Sequence, residues 1–272
     1  MEQTCARAVQ LGLRSVAFTD HADFTGWSVL DPAAVPAAVP AGGLADDPAA
    51  GPGHARVGAG GIFTPPPLDL DGYRASVERC RGMFPELDIL FGVELGEPHW
   101  HREPAADLLR RGAFDLVLCS MHSLPGPTSD RFVEIGDTYR ERTAGDVVRD
   151  YLAEAARMID SWDSFDVLAH IDYPVRTWPA AAGPYRPEAF EDDYRAVLRA
   201  LAGRGRALEV NTRVPLDPVV VAWWHEEGGT AVTFGSDAHD PLSLASGFTR
   251  AAAMVESVGF RSGAHRHDFW LR

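Results

Sequence analysis

Residues 230–239 read Thr-Ala-Val-Thr-Phe-Gly-Ser-Asp-Ala-His, TAVTFGSDAH. Thr230 to Ser236 is a short strand-like run preceded by Gly228 and Gly229, one of six in the chain, several of them nearly continuously apolar as in strands covered on both faces. The run ends on an acid and an imidazole, Asp237 and His239. A strand of this kind belongs to a parallel sheet, and the C-terminal rim of a parallel α/β sheet is where active sites are assembled, because the strand ends converge there.

Working outward, the same arrangement recurs. Ser15 to Thr19 (SVAFT) runs into Asp20 and His21, Asp88 to Glu94 (DILFGVE) ends on Glu94, and Phe114 to Ser120 (FDLVLCS) is followed by Met121 and His122. Phe165 to His170 (FDVLAH) ends on His170, and Ala207 to Thr212 (ALEVNT) completes the set. Five of the six strands deliver a His, Glu or Asp to one rim. Helical periodicity fills the intervals: Leu70 to Phe84, Ala105 to Arg111, Ala144 to Ser161, Pro187 to Ala202, Pro218 to Glu227 and Leu242 to Val258. Pro104 and Pro187 fall where a first helical turn tolerates proline, and Gly203 and Gly228 where helices stop. The chain opens in a helix pattern with Cys5, Ala8, Val9 and Leu11 on one side and Gly12 as its stop. Strand and helix alternating through a whole chain predict an α/β fold, a barrel or a doubly wound sheet.

The stretch from about 31 to 67 breaks the pattern. It is crowded with Ala, Pro, Gly and Asp without a period, and predicts a long surface insertion within one domain spanning 1–272. The pair His99 and His101, together with Glu97, reads as a surface loop just past Glu94; a substituting or substrate-facing role for the two His stays open. His54, His225, His265 and His267 read as ordinary surface residues.

Composition narrows the function. The 272 residues are 46% hydrophobic, which suits one globular domain, and 39 acidic against 25 basic residues set the net charge at -14. An acidic surface of that size disfavours nucleic acid and anionic membranes as partners. Cys5, Cys80 and Cys119 are far apart and form no Cys-x-x-Cys pair, so a reduced cytoplasmic protein is expected, with Cys119 in the core. No run of 18 apolar residues and no apolar leader segment occurs. Imidazole and carboxylate without thiolate suit zinc, manganese or iron, and several of each suggest more than one ion, with Glu94 able to bridge.

With FTDHAD, GVELGEPHW, CSMHSL, AHIDYPVR, LEVNTR and FGSDAH in this order, the chain resembles the polymerase-and-histidinol-phosphatase (PHP) superfamily, its histidinol-phosphatase branch above all. The resemblance covers nearly the whole chain apart from the insertion. It implies a distorted (β/α)7 TIM-like barrel with two or three divalent ions at the C-terminal rim. Carried over residue by residue, Glu94 bridges two ions, His122 and His170 hold one of them, Asp237 helps hold the other, and His21 and His239 belong to a third position. The front departs from the family pattern: an opening strand with a His-x-His pair is expected before the first helix, so six strands stand where seven are implied. We expect a start placed too late, with coding sequence for the pair upstream; without that strand, exposed sheet edges predict low solubility.

The chemistry that follows is phosphomonoester hydrolysis. Bound ions neutralise the phosphoryl oxygens and acidify a water, which serves as nucleophile in place of a side chain. Arg176 and Arg213 stand where they could clamp the phosphate, or form rim salt bridges, and either Asp237 or His239 could protonate the departing alkoxide. The expected reaction is hydrolysis of L-histidinol phosphate, a small-molecule phosphate ester, in histidine biosynthesis. Two alternatives stay open: another phosphoesterase or a nuclease on the same fold, and a truncated, non-catalytic barrel with impaired metal binding.

Overall fold

The computed structural model describes residues 1–28, 56–57, 61–126, 131–265 and 268–272. His54 and His267, and residues 31–55 and 58–60 of the predicted insertion, lie outside them. In chain order the elements are α1 (Glu2–Gln10), β1 (Ser15–Asp23), β2 (Trp27–Ser28), β3 (Arg56–Val57), β4 (Ile62–Thr64), α2 (Leu70–Met83), β5 (Asp88–Gly96) and α3 (Arg102–Gly112). Then come β6 (Leu116–Ser120), β7 (Ser123–Pro125), β8 (Phe132–Glu134), α4 (Ile135–Thr138), α5 (Ala144–Ser161) and β9 (Val167–Leu168). The last are α6 (Glu191–Gly203), β10 (Ala207–Asn211), α7 (Pro218–Glu226), β11 (Ala231–Gly235), α8 (Phe248–Val258) and β12 (Trp270–Leu271).

The six predicted strands all form and lie side by side in one sheet, in the order β1-β5-β6-β9-β10-β11, every neighbouring pair parallel. A seventh strand, β12, adds antiparallel to β11 and was not expected from the sequence, since two residues are too few to show a period. The sheet curls into a half-barrel, as expected of a distorted TIM-like fold, with β1 and β12 at its edges among the described residues. Its apolar faces are sealed by helices: Val147, Val148, Tyr151, Leu152, Met158 and Ile159 of α5 and Tyr194, Val197, Leu198 and Leu201 of α6 are all buried. Thr143 caps α5 by accepting from the Asp146 amide, and Pro218 opens α7 behind the Asp217 cap.

The structure corrects three expectations. In α1 the buried stripe runs through Thr4, Cys5 and Ala8, so Val9 turns outward by 100° and Leu11 falls past the helix end; both are exposed. Residues 187–202 divide into a 3-10 turn (Pro187–Phe190) and then α6. Part of the predicted insertion is not loop. β3 and β4 join β2, β8 and β7 in a second sheet, ordered β3-β4-β2-β8-β7, with Phe63 buried against Trp27. This sheet is assembled from the connections that leave the C-terminal ends of β1 and β6, beside the rim that holds the polar cluster.

Candidate metal centre

The rim residues reach their places by strand register. His21 pairs with Glu94 across β1 and β5, both inside the strands, because these two strands continue beyond their predicted ends to Asp23 and Gly96. Packing of one strand on the other carries the ladder past the polar residues that would otherwise mark a stop. His122, His170 and Asp237 each stand two residues beyond the last residue of β6, β9 and β11. All three therefore enter the same space from neighbouring strands.

Glu94 is the hub. Its Oε1 lies 2.9 Å from His170 Nε2 and 3.2 Å from His122 Nε2, and its Oε2 lies 3.8 Å from His21 Nδ1. Glu94, His122 and His170 are buried, and one ligand atom from each falls within 4.8 Å of the others. Burial opposes ionisation of Glu94, but His21, His122 and His170 around it hold its carboxyl well below the usual range. Burial likewise disfavours charge on His122, yet Asp23 and Glu94 on its two nitrogens push it well above the usual imidazole value. Burial lowers His170 despite the Glu94 contact. The rings continue in a row: His122 is 5.4 Å from His170 and 5.3 Å from His21, and His21 is 5.8 Å from His239.

Asp237 sits at the other end of this row with a backbone φ of 48°. Its carboxylate lies 2.6 Å from Arg176 Nη2 and 3.6 Å from Arg213 Nη1 and His239 Nδ1. Arg176 is held over the Tyr173 ring at 4.6 Å, and Tyr173 in turn packs against His122 and His170. So all six expected ligands and both expected phosphate-binding arginines collect at one rim. They are unequal in setting: Arg176 is largely covered, whereas the side chains of Arg213 and His239 are about half exposed at 51% and 48%.

The chemistry of the donor set fits a divalent cation. One carboxylate and two imidazole nitrogens converge in a buried place without thiolate, a set suited to zinc. A second group of close donor atoms, His21, Asp23 and His122, overlaps the first at His122, whose Nδ1 faces Asp23 while its Nε2 faces Glu94.

Three acidic residues near the centre were misread or missed. Asp23, two residues past His21 on the same strand face, places Oδ1 3.0 Å from His122 Nδ1; the period of two was the available signal. Glu97, expected in a surface loop, is 1% exposed and accepts from the backbone amides of His122 (2.6 Å) and Ser123 (2.9 Å). Glu209, inside the LEVNTR segment, accepts from the His170 amide (2.8 Å) and from Asn211 Nδ2 (3.0 Å), and burial pushes its carboxyl up to about 7. No pattern in the sequence distinguishes Glu97 and Glu209 from solvated acids. His99 is also no surface residue: its buried Nε2 lies 2.9 Å from Glu154 Oε1. His101 Nε2 meets Thr25 Oγ1 at 2.9 Å, so neither His replaces a ligand in the cluster.

The PHP domain family matches residues 1–213, more than three quarters of the 272-residue chain. The chain belongs to the PHP family. The histidinol-phosphatase of Lactococcus lactis is 24% identical over 208 residues, 71% of this chain and 74% of that protein. A probable histidinol-phosphatase of Deinococcus radiodurans is 28% identical over 207 residues, 73% of this chain and 76% of that one. Among solved structures, the histidinol phosphate phosphatase of Lactococcus lactis, complexed with zinc, L-histidinol and phosphate, matches with a TM-score of 0.73. It is 20% identical, and the match covers 95% of this chain and 87% of that one. The Listeria monocytogenes structure of a putative histidinol phosphatase matches with a TM-score of 0.66 at 16% identity, covering 92% of each chain. The PHP fold expected from the motifs is thus the fold observed. No helix among the described residues is long and apolar enough to cross a membrane.

Proposed function

We propose that this PHP protein is a metal-dependent histidinol-phosphatase that hydrolyses L-histidinol phosphate to L-histidinol and phosphate. The observation that carries the proposal is the Glu94 carboxylate set between His122 and His170, with two arginines a short step along the same rim. The Lactococcus lactis relative is named histidinol-phosphatase, and the solved structure from that organism is complexed with zinc, L-histidinol and phosphate.

Glu94, His122 and His170 would hold one ion, with Glu94 bridging to a second at Asp237 and His21 and His239 serving a third; two or three zinc, manganese or iron ions are the proposed complement. Bound there, the ions supply Lewis-acid polarisation of a phosphoryl group and a lowered pKa for an attacking water. The chain's own residues do the rest. Arg176 meets Asp237 through one Nη atom, which leaves further N–H donors of its planar fork for phosphoryl oxygens. Arg213, more exposed, would close on the same group from the mouth of the site. Asp237, or His239 through a ring nitrogen that holds no ion, would give a proton to the departing alkoxide oxygen. With a net charge of -14 the surface repels a phosphate dianion, so this cluster of cations is its receptor. The same charge argues against a nucleic acid as substrate, and three free, buried cysteines suit a reduced, cytoplasmic setting.

The test is phosphate release by purified, metal-supplemented protein from L-histidinol phosphate, from unrelated phosphomonoesters and from single-stranded DNA. We expect kcat/KM for L-histidinol phosphate to exceed the others by roughly 100-fold or more, a selectivity that buried polar recognition supplies. A full metal complement with no histidinol phosphate turnover would overturn the substrate assignment.

A further inference from the structure

Asp23 has a place in the centre that none of the expected ligands shares. It ends β1 in register with Gly96 of β5, and a Cβ built on Gly96 would fall 1.9 Å from Asp23 Oδ1 and 3.5 Å from His122 Nδ1. The missing side chain at position 96 is therefore the space in which the Asp23 carboxylate meets the His122 ring. Only 12% of the Asp23 side chain is exposed, and Oδ1 lies 3.0 Å from His122 Nδ1. The other nitrogen of the same ring, Nε2, faces Glu94 Oε1 at 3.2 Å, where His170 Nε2 also arrives. Glu97 holds the backbone amide of His122 at 2.6 Å, so ring and main chain are each tied to a carboxylate.

Resting on the metal-centre reading above, we propose that Asp23 is a positioning residue that acts through His122. Asp23 accepts the Nδ1–H of the ring, which fixes the tautomer and presents the Nε2 lone pair toward Glu94 and His170. A carboxylate on the far nitrogen of a ligating imidazole orients the ring and raises its basicity, and loss of such a partner weakens metal binding about 10–100-fold. His170 makes the contrast, because its Nδ1 has no hydrogen-bond partner among the described residues and it is steadied through its backbone amide by Glu209. Asp23 Oδ2 lies 3.6 Å from His21 Nδ1, outside hydrogen-bond reach, so the restraint falls on His122.

The experiment uses the full chain and zinc alone as probe. Zinc affinity is measured by competition with a chromophoric chelator for wild type, Asp23→Ala, Asp23→Asn and Gly96→Ala. Ring nitrogen shifts of the zinc-loaded, ¹⁵N-histidine-labelled proteins then report the His122 tautomer. We expect Asp23→Ala to weaken zinc binding about 10–100-fold without changing the number of ions bound, and to abolish the Nδ1–H signature of His122. Asp23→Asn, whose amide oxygen still accepts, should recover part of the affinity. Gly96→Ala, which adds one methyl group and removes no donor, should reproduce the loss and serves if Asp23→Ala does not fold. Unchanged affinity and tautomer in both Asp23→Ala and Gly96→Ala would overturn the proposal. Loss of a whole zinc equivalent in Asp23→Ala would do so too, by making Asp23 a ligand. If wild type turns over no histidinol phosphate while the affinity order holds, only the substrate assignment falls; if wild type takes up no zinc, both fall.

Discussion

Arg176 Nη2 lies 2.6 Å from Asp237 Oδ2, with the Arg176 side chain only 16% exposed and its guanidinium stacked on Tyr173. Arg213 approaches the same carboxylate at 3.6 Å with half its side chain in solvent. A covered, stacked and paired guanidinium binds an anion with less ordering cost than an exposed one. We therefore expect Arg176→Met to lower kcat/KM for L-histidinol phosphate by roughly 100-fold and Arg213→Met by roughly 10-fold, the gap of about 1.4 kcal/mol reflecting the difference in preorganisation. Steady-state kinetics of the two variants check this, and equal losses would place both arginines on the same footing.

Removal of the metal should abolish phosphatase activity, and return of zinc, manganese or iron should restore it. Within the centre, Glu94→Gln and His170→Ala are expected to lower the zinc content by about one equivalent or more and the activity by roughly 100-fold or more, since each removes a buried donor. Elemental analysis of the purified variants, beside their kinetics, reads both effects. Arg176→Met, by contrast, should keep the full zinc content.

The hydroxyl of Tyr73 sits 2.8 Å from the Phe18 carbonyl and 2.9 Å from the Gly92 carbonyl, joining α2 to the β1–β5 pair from within the core. Tyr73→Phe leaves the ring packing and removes that donor, so it should cost about 1 kcal/mol, seen as a lower urea midpoint with an unchanged m-value. Zinc content should not move, because the Tyr73 ring packs on Phe91, which lies on the face of β5 opposite Glu94. A fall in zinc uptake would show that this joint also sets the His21–Glu94 register.

Glu154 holds His99, Trp100 and Arg157 together beneath the connection that follows β5. Burial opposes its ionisation, but His99 and Arg157 bring its carboxyl from the ordinary value near 4.5 down to about 2. A folded-state value below the unfolded one stabilises the protein fully above the unfolded value and is lost as pH falls through the folded one. In metal-free protein, Glu154→Gln should therefore cost about 2 kcal/mol at pH 7, and the difference from wild type should shrink as pH drops from about 4.5 toward 2. Urea unfolding at a series of pH values measures it; a constant difference across that window would assign the effect to packing.

Much of this architecture was legible. Six strand-like runs became six parallel strands in one sheet; β5, β6 and β10 are buried along most of their length and show the continuous apolar pattern, while β1 and β11 are half-buried. The residues at their ends, His21, Glu94, His122, His170, Asp237 and His239, do gather at one rim. Illegible were the strands too short to carry a period, β2, β3, β4, β7, β8 and β12, and the polar residues whose role depends on a partner distant in the chain. Glu97 and Glu209 look like ordinary acids until the amides of His122 and His170, 25 and 39 residues away, are brought to them.

By itself, then, the sequence determined the fold class, the six parallel strands and the six ligand candidates at their ends, since local periodicity and position along a strand suffice for these. Only the tertiary structure decided which nitrogen of His122 faces Glu94 and which faces Asp23, that Arg176 is covered while Arg213 is open, and that His99 belongs to Glu154 and not to the metal centre. Those are matters of ångströms between side chains from different strands. They are set by register and packing across the sheet, which no local stretch of sequence contains.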